Sequence, residues 1–335
     1  MRYKKFIRLI LWYATLSNLC FAVSATPETL TFIQPDGFEF RGFCRGDEWQ
    51  AWHETLDGWS IVKNENNYWV YAIGVNGGKL ESSQAIVGLD NPPSFTTSGA
   101  LLQKHLHPER MIDFDHSTDF SIRDMRSTIF TLPVLLVEYP DYGAITDQDL
   151  IDNLFNEEGY GHPGYPSSGS FKDYYMEISY GQFTPVATVT QWFTAPNNHN
   201  YYGDSQNNSS QRTRQLVRAI VDSAEAAGMD WAQFDNDGNG SVEGLTIVHA
   251  GPGAEQGDLS NIWSHRWNLG NLAVQYDGVW ISDYCINPEI QSGNISAIGV
   301  ICHEFGHILG LPDLYDTDYS SSGAGKLALM ASGSW

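Results

Sequence analysis

Cysteine is scarce in this sequence of 335 residues, with four in total. That count is too low for a scaffold built on disulfide bonds. Cys20 lies in a segment that we expect to be removed, so three remain: Cys44, Cys285 and Cys302. An odd number in a secreted protein leaves at least one thiol free or paired between chains. A disulfide between Cys285 and Cys302 stays open, because sequence alone does not give their separation.

Basic residues are also scarce: 18 Lys and Arg stand against 40 Asp and Glu, a formal net charge of −22. Four of the basic residues precede position 26, and without that segment the balance is 14 against 40, a net charge of −26. Such an acidic surface repels nucleic acid and anionic membranes, so neither is expected as a partner. It suits a soluble protein that works in salt or binds divalent cations. Hydrophobic residues make up 42% of the chain, which is typical of a globular protein.

The one long apolar stretch is at the N-terminus. Arg2, Lys4, Lys5 and Arg8 precede it, and small residues follow, with Ala25 placed before a plausible cleavage point. This order is typical of a secretory signal peptide, here residues 1–25. A membrane anchor is the alternative, but the stretch is short and interrupted by polar residues. We therefore expect a secreted, extracellular protein that has no membrane contact after the signal is removed.

Two regions follow the predicted signal peptide. Residues 26–126 contain short aromatic and polar alternations between Gly, Asp and Asn turns, which predict β-strands, and then an aperiodic linker. From residue 127 apolar runs typical of buried strands alternate with helical periodicities, at 167–181, 209–228 and 296–310. The sequence thus predicts an α/β (α+β) domain over 127–335 with a mixed sheet, preceded by a small mostly β segment.

The segment HEFGHILGLPD carries the strongest chemical signal. His303 and His307 are one helical turn apart, so both imidazoles face one ion, and zinc accepts this ligand well. Glu304 lies beside the first histidine, where it can act as general base on a metal-activated water. Asp313 follows a glycine turn and is the candidate third ligand. The alternative is two ordinary core histidines, but an apolar helix in a secreted chain favours a metal site.

A methionine in a tight turn after such a motif forms the floor of the metal site in metzincins, and Met330 in LALMASGSW fits that role. The alternative for a single methionine is ordinary core packing.

Four blocks together resemble the secreted bacterial metalloproteases of the immune inhibitor A family: GVICHEFGHILGLPDLYD, LALMASGSW, TIVHAGPGAEQGDLSNIWSHRW and SFKDYYMEISYGQF. They cover most of 127–335. The resemblance implies a metzincin-like catalytic domain, zinc and peptide-bond hydrolysis. Asp313 stands where most metzincins have a third histidine. By position in the family motif, the resemblance implies that His303 and His307 are metal ligands, Glu304 is the base and Met330 is the turn methionine.

The resemblance also implies that an extended substrate binds along an edge strand, and we predict LTIVHAGPG at 245–253 as that strand. His249 and His265 are interpreted as structural rather than as further ligands, because no spacing ties them to the zinc helix. Metzincins continue beyond the methionine turn, so we expect the catalytic domain to be incomplete at its C-terminus.

A second cation site is predicted in FDNDGNGSVEG, which matches most of an EF-hand loop around a sharp glycine turn. Its last position is Thr246 instead of the usual glutamate, so the bidentate ligand is missing. The alternative is an acidic turn without an ion. The candidate calcium ligands are Asp235, Asp237, Asn239, Ser241 and Glu243.

The leading functional prediction is a secreted zinc endopeptidase, made as a zymogen, with protein or peptide substrates. One alternative is a catalytically inactive, calcium-dependent extracellular binding or adhesive protein, although the presence of Glu304 argues against it. Another is a zinc hydrolase that acts on something other than peptides.

Residues 26–126 precede the catalytic domain, so we interpret them as a prosegment that keeps the enzyme latent. Two residues in FCRGDEW are candidates for a switch that displaces the catalytic water. Asp47 lies in a context similar to the aspartate switch of astacin-like zymogens, and Cys44 is the alternative as a thiolate. Activation would need a cut in the linker, for which Arg110, Arg123 and Arg126 are candidate sites.

Overall fold

The computed structural model describes residues 23–47, 49–109, 129–165, 168–203, 209–316, 321 and 323–335. Most of the predicted signal peptide, including Cys20, lies outside the described residues. The three candidate cleavage sites Arg110, Arg123 and Arg126 also lie outside them.

The N-terminal part forms an antiparallel sheet in which each strand pairs with the next along the chain. Its aromatic and polar alternation gives the predicted β structure, because alternate side chains face opposite sides of a strand. Its strands are β1 (Leu30–Ile33), β2 (Glu39–Asp47), β3 (Gln50–Thr55), β4 (Ser60–Lys63), β5 (Trp69–Asn76) and β6 (Lys79–Ile86).

The second sheet is mixed and has the strand order β10-β13-β9-β7-β8, with β14 paired to β13. Its four strands from β13 to β8 run parallel, while β10 is antiparallel to β13. A small hairpin, β11 with β12, lies apart from it. The strands are β7 (Ile129–Glu138), β8 (Thr184–Thr194), β9 (Leu245–Pro252), β10 (His265–Asn268), β11 (Val274–Tyr276), β12 (Val279–Ile281), β13 (Asp283–Gln291) and β14 (Asn294–Ile295). This confirms the predicted α/β fold with a mixed sheet.

The prediction that residues 245–253 form the substrate-binding edge strand is wrong. β9 lies in the middle of the sheet, between β13 and β7, and every residue from Leu245 to Gly251 is buried. A continuous apolar run is typical of a strand covered on both faces, whereas an edge strand has one open side. Among the described residues, β10 and β8 form the two edges of this sheet.

Helices cover both faces of the mixed sheet. Alternate residues of β7 divide between two hydrophobic clusters: Leu135 packs with α4, and Leu136 packs with α1, α2 and α5. The predicted helices at 167–181, 209–228 and 296–310 correspond to α2, α4 and α5. Among the described residues, no helix has the length and apolarity needed to cross a membrane. The helices are α1 (Gln148–Asn156), α2 (Phe171–Ile178), α3 (His199–Gly203), α4 (Ser209–Ala226) and α5 (Ile298–Ile308).

Candidate active site

Helix α5 carries His303, Glu304 and His307 into the interior, and all three are buried. Each histidine has its Nδ1 atom at hydrogen-bond distance from a main-chain carbonyl. His303 Nδ1 lies 2.9 Å from the oxygen of Leu329, and His307 Nδ1 lies 2.8 Å from the oxygen of Leu311. A carbonyl only accepts, so both Nδ1 atoms are the protonated ones and both Nε2 atoms present lone pairs.

The two Nε2 atoms face each other and the carboxylate of Asp313. They lie 3.1 Å apart, and Asp313 Oδ1 is 3.2 Å from His303 Nε2 and 3.5 Å from His307 Nε2. Burial lowers the pKa of His307 well below its usual value, so its ring is neutral, as metal binding requires. Burial also opposes the charged form of His303, but the hydrogen bond to Asp313 outweighs it and raises the pKa of His303, so a metal ion would displace a proton there. Three electron-pair donors that converge in a buried site repel one another unless a cation lies between them. The donor set therefore fits zinc, which takes imidazole nitrogen and carboxylate oxygen.

Asp313 reaches the two histidines because the chain reverses directly after α5. Gly310 has φ +84°, a left-handed conformation that glycine adopts without strain. Its N–H donates to the carbonyl of His307, and the N–H of Leu311 donates to the carbonyl of Gly306. These two bonds close the helix end in the manner of a Schellman turn, which brings residue 313 back over the last helical turn.

Met330 packs against helix α5. It is buried, and its sulfur lies where a side chain on Gly306 would begin: a Cβ there would be 2.7 Å from Met330 Sδ. Two main-chain carbonyls of the same turn accept hydrogen bonds. The carbonyl of Leu329 accepts from His303 Nδ1, and the carbonyl of Met330 accepts from the N–H of Leu314. The methionine turn thus contacts the helix backbone between the two histidines.

Glu304 lies next to this cluster in a dry environment. Its Oε1 accepts a hydrogen bond from the N–H of Val23 at 2.9 Å, and its Oε2 is buried without a hydrogen-bond partner among the described residues. Burial raises the pKa of Glu304 to about 8. A nearby cation favours the ionised form, which is the form a general base needs.

The chain from Val23 to Thr26 lies against the same site. The indole N–H of Trp263 donates to the carbonyl of Val23 at 2.8 Å, and that of Trp335 donates to the carbonyl of Ser24 at 3.1 Å. Thr26 N–H donates to the carbonyl of Glu255. Sequence reasoning missed this contact, since a bond between residues 281 positions apart leaves no local pattern.

Among the described residues, the cluster around the two histidines consists of His303, His307 and Asp313, and it includes neither Asp47 nor Cys44. Cys44 is buried, and burial raises the pKa of its thiol to about 12, so it remains protonated at neutral pH. Asp47 Oδ1 accepts from the N–H groups of Trp49 and Gln50 and so closes the turn between β2 and β3.

The other interpreted residues are consistent with structural roles. His249 and His265 are buried outside the cluster, and their Nδ1 atoms lie 3.0 and 2.7 Å from the carbonyls of Ala250 and Trp263. Burial lowers the pKa of both rings to about 4. Cys285 and Cys302 are free, so the disulfide left open by the sequence is absent from the described residues.

The acidic loop brings together Asp235, Asp237 and Glu243, each with a carboxylate oxygen within 4.8 Å of the others. Glu243 is 2% exposed, and its Oε1 has no hydrogen-bond partner among the described residues; the same holds for Asp235 Oδ1. Burial raises the pKa of Glu243 to about 7. Unpaired buried carboxylate oxygens are costly, and a bound cation would remove that cost.

The remaining loop residues have other contacts. The side-chain amide of Asn239 donates to Asp237 Oδ2 at 3.0 Å, and Ser241 forms a backbone bridge with Trp280. Thr246 lies inside β9 and donates its hydroxyl to the carbonyl of Gly244, so it does not supply the missing last ligand. The side-chain amide of Asn236 accepts from the N–H of Thr131 and donates to the carbonyl of Thr131, both at 2.9 Å, which attaches the loop to β7.

A sequence model described as the catalytic domain of the immune inhibitor A peptidase M6 matches residues 136–335. The chain belongs to the immune inhibitor A peptidase family. The matched range contains β9, helix α5 and the turn at Met330, and the N-terminal sheet lies outside it.

Two relatives extend this family assignment. Immune inhibitor A of Bacillus thuringiensis subsp. alesti is 35% identical over 251 residues, which cover 60% of this chain and 36% of the relative. The pre-pro-metalloprotease PrtV of Vibrio cholerae serotype O1 (strain M66-2) is 33% identical over 230 residues, 59% of this chain and 24% of the relative. The chain therefore spans about a quarter to a third of the length of these relatives.

Proposed function

We propose that this member of the immune inhibitor A family is a secreted zinc endopeptidase that is made as a zymogen. The observation that carries the proposal is the convergence of His303 Nε2, His307 Nε2 and Asp313 Oδ1, with a buried carboxylate on the same helix. Oxygen and nitrogen donors of this kind, with Glu304 adjacent, are what a metal-assisted hydrolysis of peptide bonds requires. Family membership and the printed names of the relatives support proteins or peptides as substrates.

The three ligands would hold zinc, which supplies a Lewis acid that polarises the scissile carbonyl and makes water a better nucleophile. Glu304 then takes the proton of the attacking water and returns it to the leaving amine. Its place on α5, one residue after His303, keeps its carboxylate beside the reacting atoms. The carbonyls of Leu329 and Leu311 hold the two imidazoles in the tautomer that binds metal.

In the uncleaved chain, the N-terminal part contacts the site. The N–H of Val23 engages Glu304 Oε1, so that oxygen does not accept a proton from water while the contact persists. The predicted signal cleavage after Ala25 would remove Val23 with the signal peptide. After that cleavage, the prosegment would still contact the catalytic domain through the turn between β2 and β3, where Trp49 packs on Trp267 and the charge of Asp47 acts on Asp313.

We also propose that the acidic loop binds calcium. Asp235, Asp237 and Glu243 offer hard oxygen ligands, and two of the oxygens are buried without partners among the described residues. The loop joins β7 through Asn236, so an ion there would stabilise the start of the mixed sheet. Since the last ligand of the motif is missing, the site should be weak and should fill at extracellular calcium concentrations.

The test of the enzymatic proposal is digestion of casein by the processed protein, with zinc content measured on the same sample. We expect hydrolysis that is lost on incubation with a chelator and restored by added zinc. Protein that binds zinc but cleaves neither casein nor a peptide library would contradict the endopeptidase. Binding of extracellular proteins in calcium, without any hydrolysis, would favour the adhesive alternative.

A further inference from the structure

Trp49 belongs to the N-terminal sheet but is buried against the mixed sheet. It is 7% exposed, and its ring centroid lies 4.9 Å from that of Trp267 on β10. It is a member of the hydrophobic cluster that α4 forms with one face of the mixed sheet. The contact therefore joins the prosegment to the catalytic domain through two aromatic rings.

The turn that carries Trp49 is held in shape by its own chain. Asp47 Oδ1 accepts from Trp49 N–H at 2.9 Å and from Gln50 N–H at 3.1 Å. Gly46 has φ +104°, and a side chain there would collide with the carbonyl of Gln50. A tight turn of this kind presents one large side chain at little entropic cost on binding.

Trp267 lies on the edge strand that borders the catalytic helix. β10 packs against α5 and is an end strand of the sheet within the described ranges. Trp267 belongs to the hydrophobic cluster that α4 forms with the sheet, whereas α5 packs in the cluster on the other face. Successive residues of a strand face opposite sides, so the neighbouring Arg266 faces the side of the sheet on which α5 lies.

A peptide that extends along β10 would direct its side chains alternately to the two faces of the sheet. One set would face the metal cluster, and the other would meet the surface of Trp267 that Trp49 now covers. The guanidinium of Arg214, 5.5 Å from the ring of Trp267, bounds this surface, and its Nε atom donates to the carbonyl of Asn268. The surface thus has a preformed shape that an aromatic ring already fills.

We infer that Trp49 occupies a substrate subsite, and that the processed enzyme prefers a large aromatic side chain at one position of its substrate. This inference rests on the proposed peptidase function. The indole Nε1 of Trp49 has no hydrogen-bond partner among the described residues, so the subsite recognises the ring by its area. Phenylalanine and tyrosine therefore fit it as well as tryptophan does.

The test begins with the full chain, allowed to process itself or cut by an added protease. A cleaved peptide is varied one position at a time among Ala, Leu, Phe and Trp. We expect one position at which kcat/KM is at least about tenfold higher for Phe or Trp than for Ala. Trp267→Leu should lower this ratio toward one. Trp280→Leu, at a half-exposed tryptophan on β12, is the matched control and should keep the ratio.

A binding measurement separates failure of this inference from failure of the peptidase proposal. A synthetic peptide of residues 39–55 should bind the processed chain at least about tenfold more tightly than its Trp49→Ala version, and a Trp49→Phe version should bind like the original. An unchanged aromatic ratio in Trp267→Leu, or equal binding of the three peptides, would overturn the subsite. Absence of all hydrolysis together with the expected binding differences would overturn the peptidase and retain the aromatic subsite.

Discussion

The two clusters of metal-ligating side chains differ in their donor atoms and in the structure that holds them. His303, His307 and Asp313 present two nitrogens and one oxygen from a buried helix and the turn that follows it. Asp235 and Glu243 belong to a loop cluster that offers only oxygens. Zinc prefers the first set, and calcium prefers the second.

The comparison teaches that proximity to a base, more than cation binding itself, separates a catalytic centre from a structural one. Glu304 lies beside the first cluster and has one oxygen without a hydrogen-bond partner among the described atoms. Beside the second cluster lies Asn236, whose side-chain amide cannot act as a base and bonds to Thr131 of β7. Under the proposed function, the first cluster would support hydrolysis and an ion in the second would stabilise the fold.

The largest expected effect is on catalysis. Glu304→Ala removes the base and no ligand, so kcat/KM on a peptide substrate should fall at least ~10²-fold while the zinc content stays near one per chain. His303→Ala or His307→Ala should lose both activity and zinc. Kinetics and metal analysis on the same purified samples would check this.

Asp237→Ala is the control from the other cluster, and it should leave the zinc content unchanged. Turnover close to that of the unaltered protein in purified Glu304→Ala would break the distinction between the two clusters, because it would leave neither with an essential base.

A second prediction concerns the proposed prosegment and its approach to the first cluster. Burial raises the pKa of Asp313, and the nearby charge of Asp47 adds to that rise, which places Asp47 near the site. Asp47→Ala should therefore shorten the time that the precursor takes to process itself, measured by gel electrophoresis. Cys44→Ala should remain latent, because the buried thiol is protonated at neutral pH.

If Cys44→Ala processes early and Asp47→Ala stays latent, the switch is the cysteine. If neither substitution changes the time course, the prosegment blocks the cleft by its bulk alone. Each precursor is combined with Glu304→Ala as a control, in which self-processing should stop.

The smallest expected effect is on stability. A weak calcium site at ten to a hundred times its Kd adds about 1 to 3 kcal/mol to the free energy of unfolding. This corresponds to a rise in Tm of a few degrees for a domain of this size. Asp237→Ala should abolish most of the response of Tm to calcium, measured by calorimetry in calcium and in chelator.

Asp149→Ala, which removes an exposed carboxylate on α1, should keep the response. A melting temperature that responds equally to calcium in Asp237→Ala would show that the ion binds elsewhere.

Much of the catalytic cluster was predictable because its ligands are close in sequence. A spacing of four residues on a helix places His303 and His307 on one side, whatever the helix packs against. The glycine before Asp313 predicts a turn, and the left-handed Gly310 confirms it. The sequence predicted Met330 as the turn methionine, but only the structure shows that it contacts Gly306, where a Cβ would clash with the sulfur.

Strand order was not predictable in the same way. The apolar run of β9 was interpreted as the edge strand, and it proved to be central. A strand's own residues indicate how much of it is buried, but its neighbours depend on chain segments far away in sequence. The short, less apolar β10 is the edge strand beside α5, and its four residues give no pattern that distinguishes it from a loop.

By itself the sequence predicted the two clusters of candidate cation ligands, the carboxylate on α5 and the α/β alternation, because each depends on spacings within a few residues. Tertiary structure decided which groups meet across the chain: Val23 with Glu304, and Trp49 with Trp267. Such pairs form when two distant surfaces exclude water together, and the free energy of that burial depends on the assembled shape and not on local order.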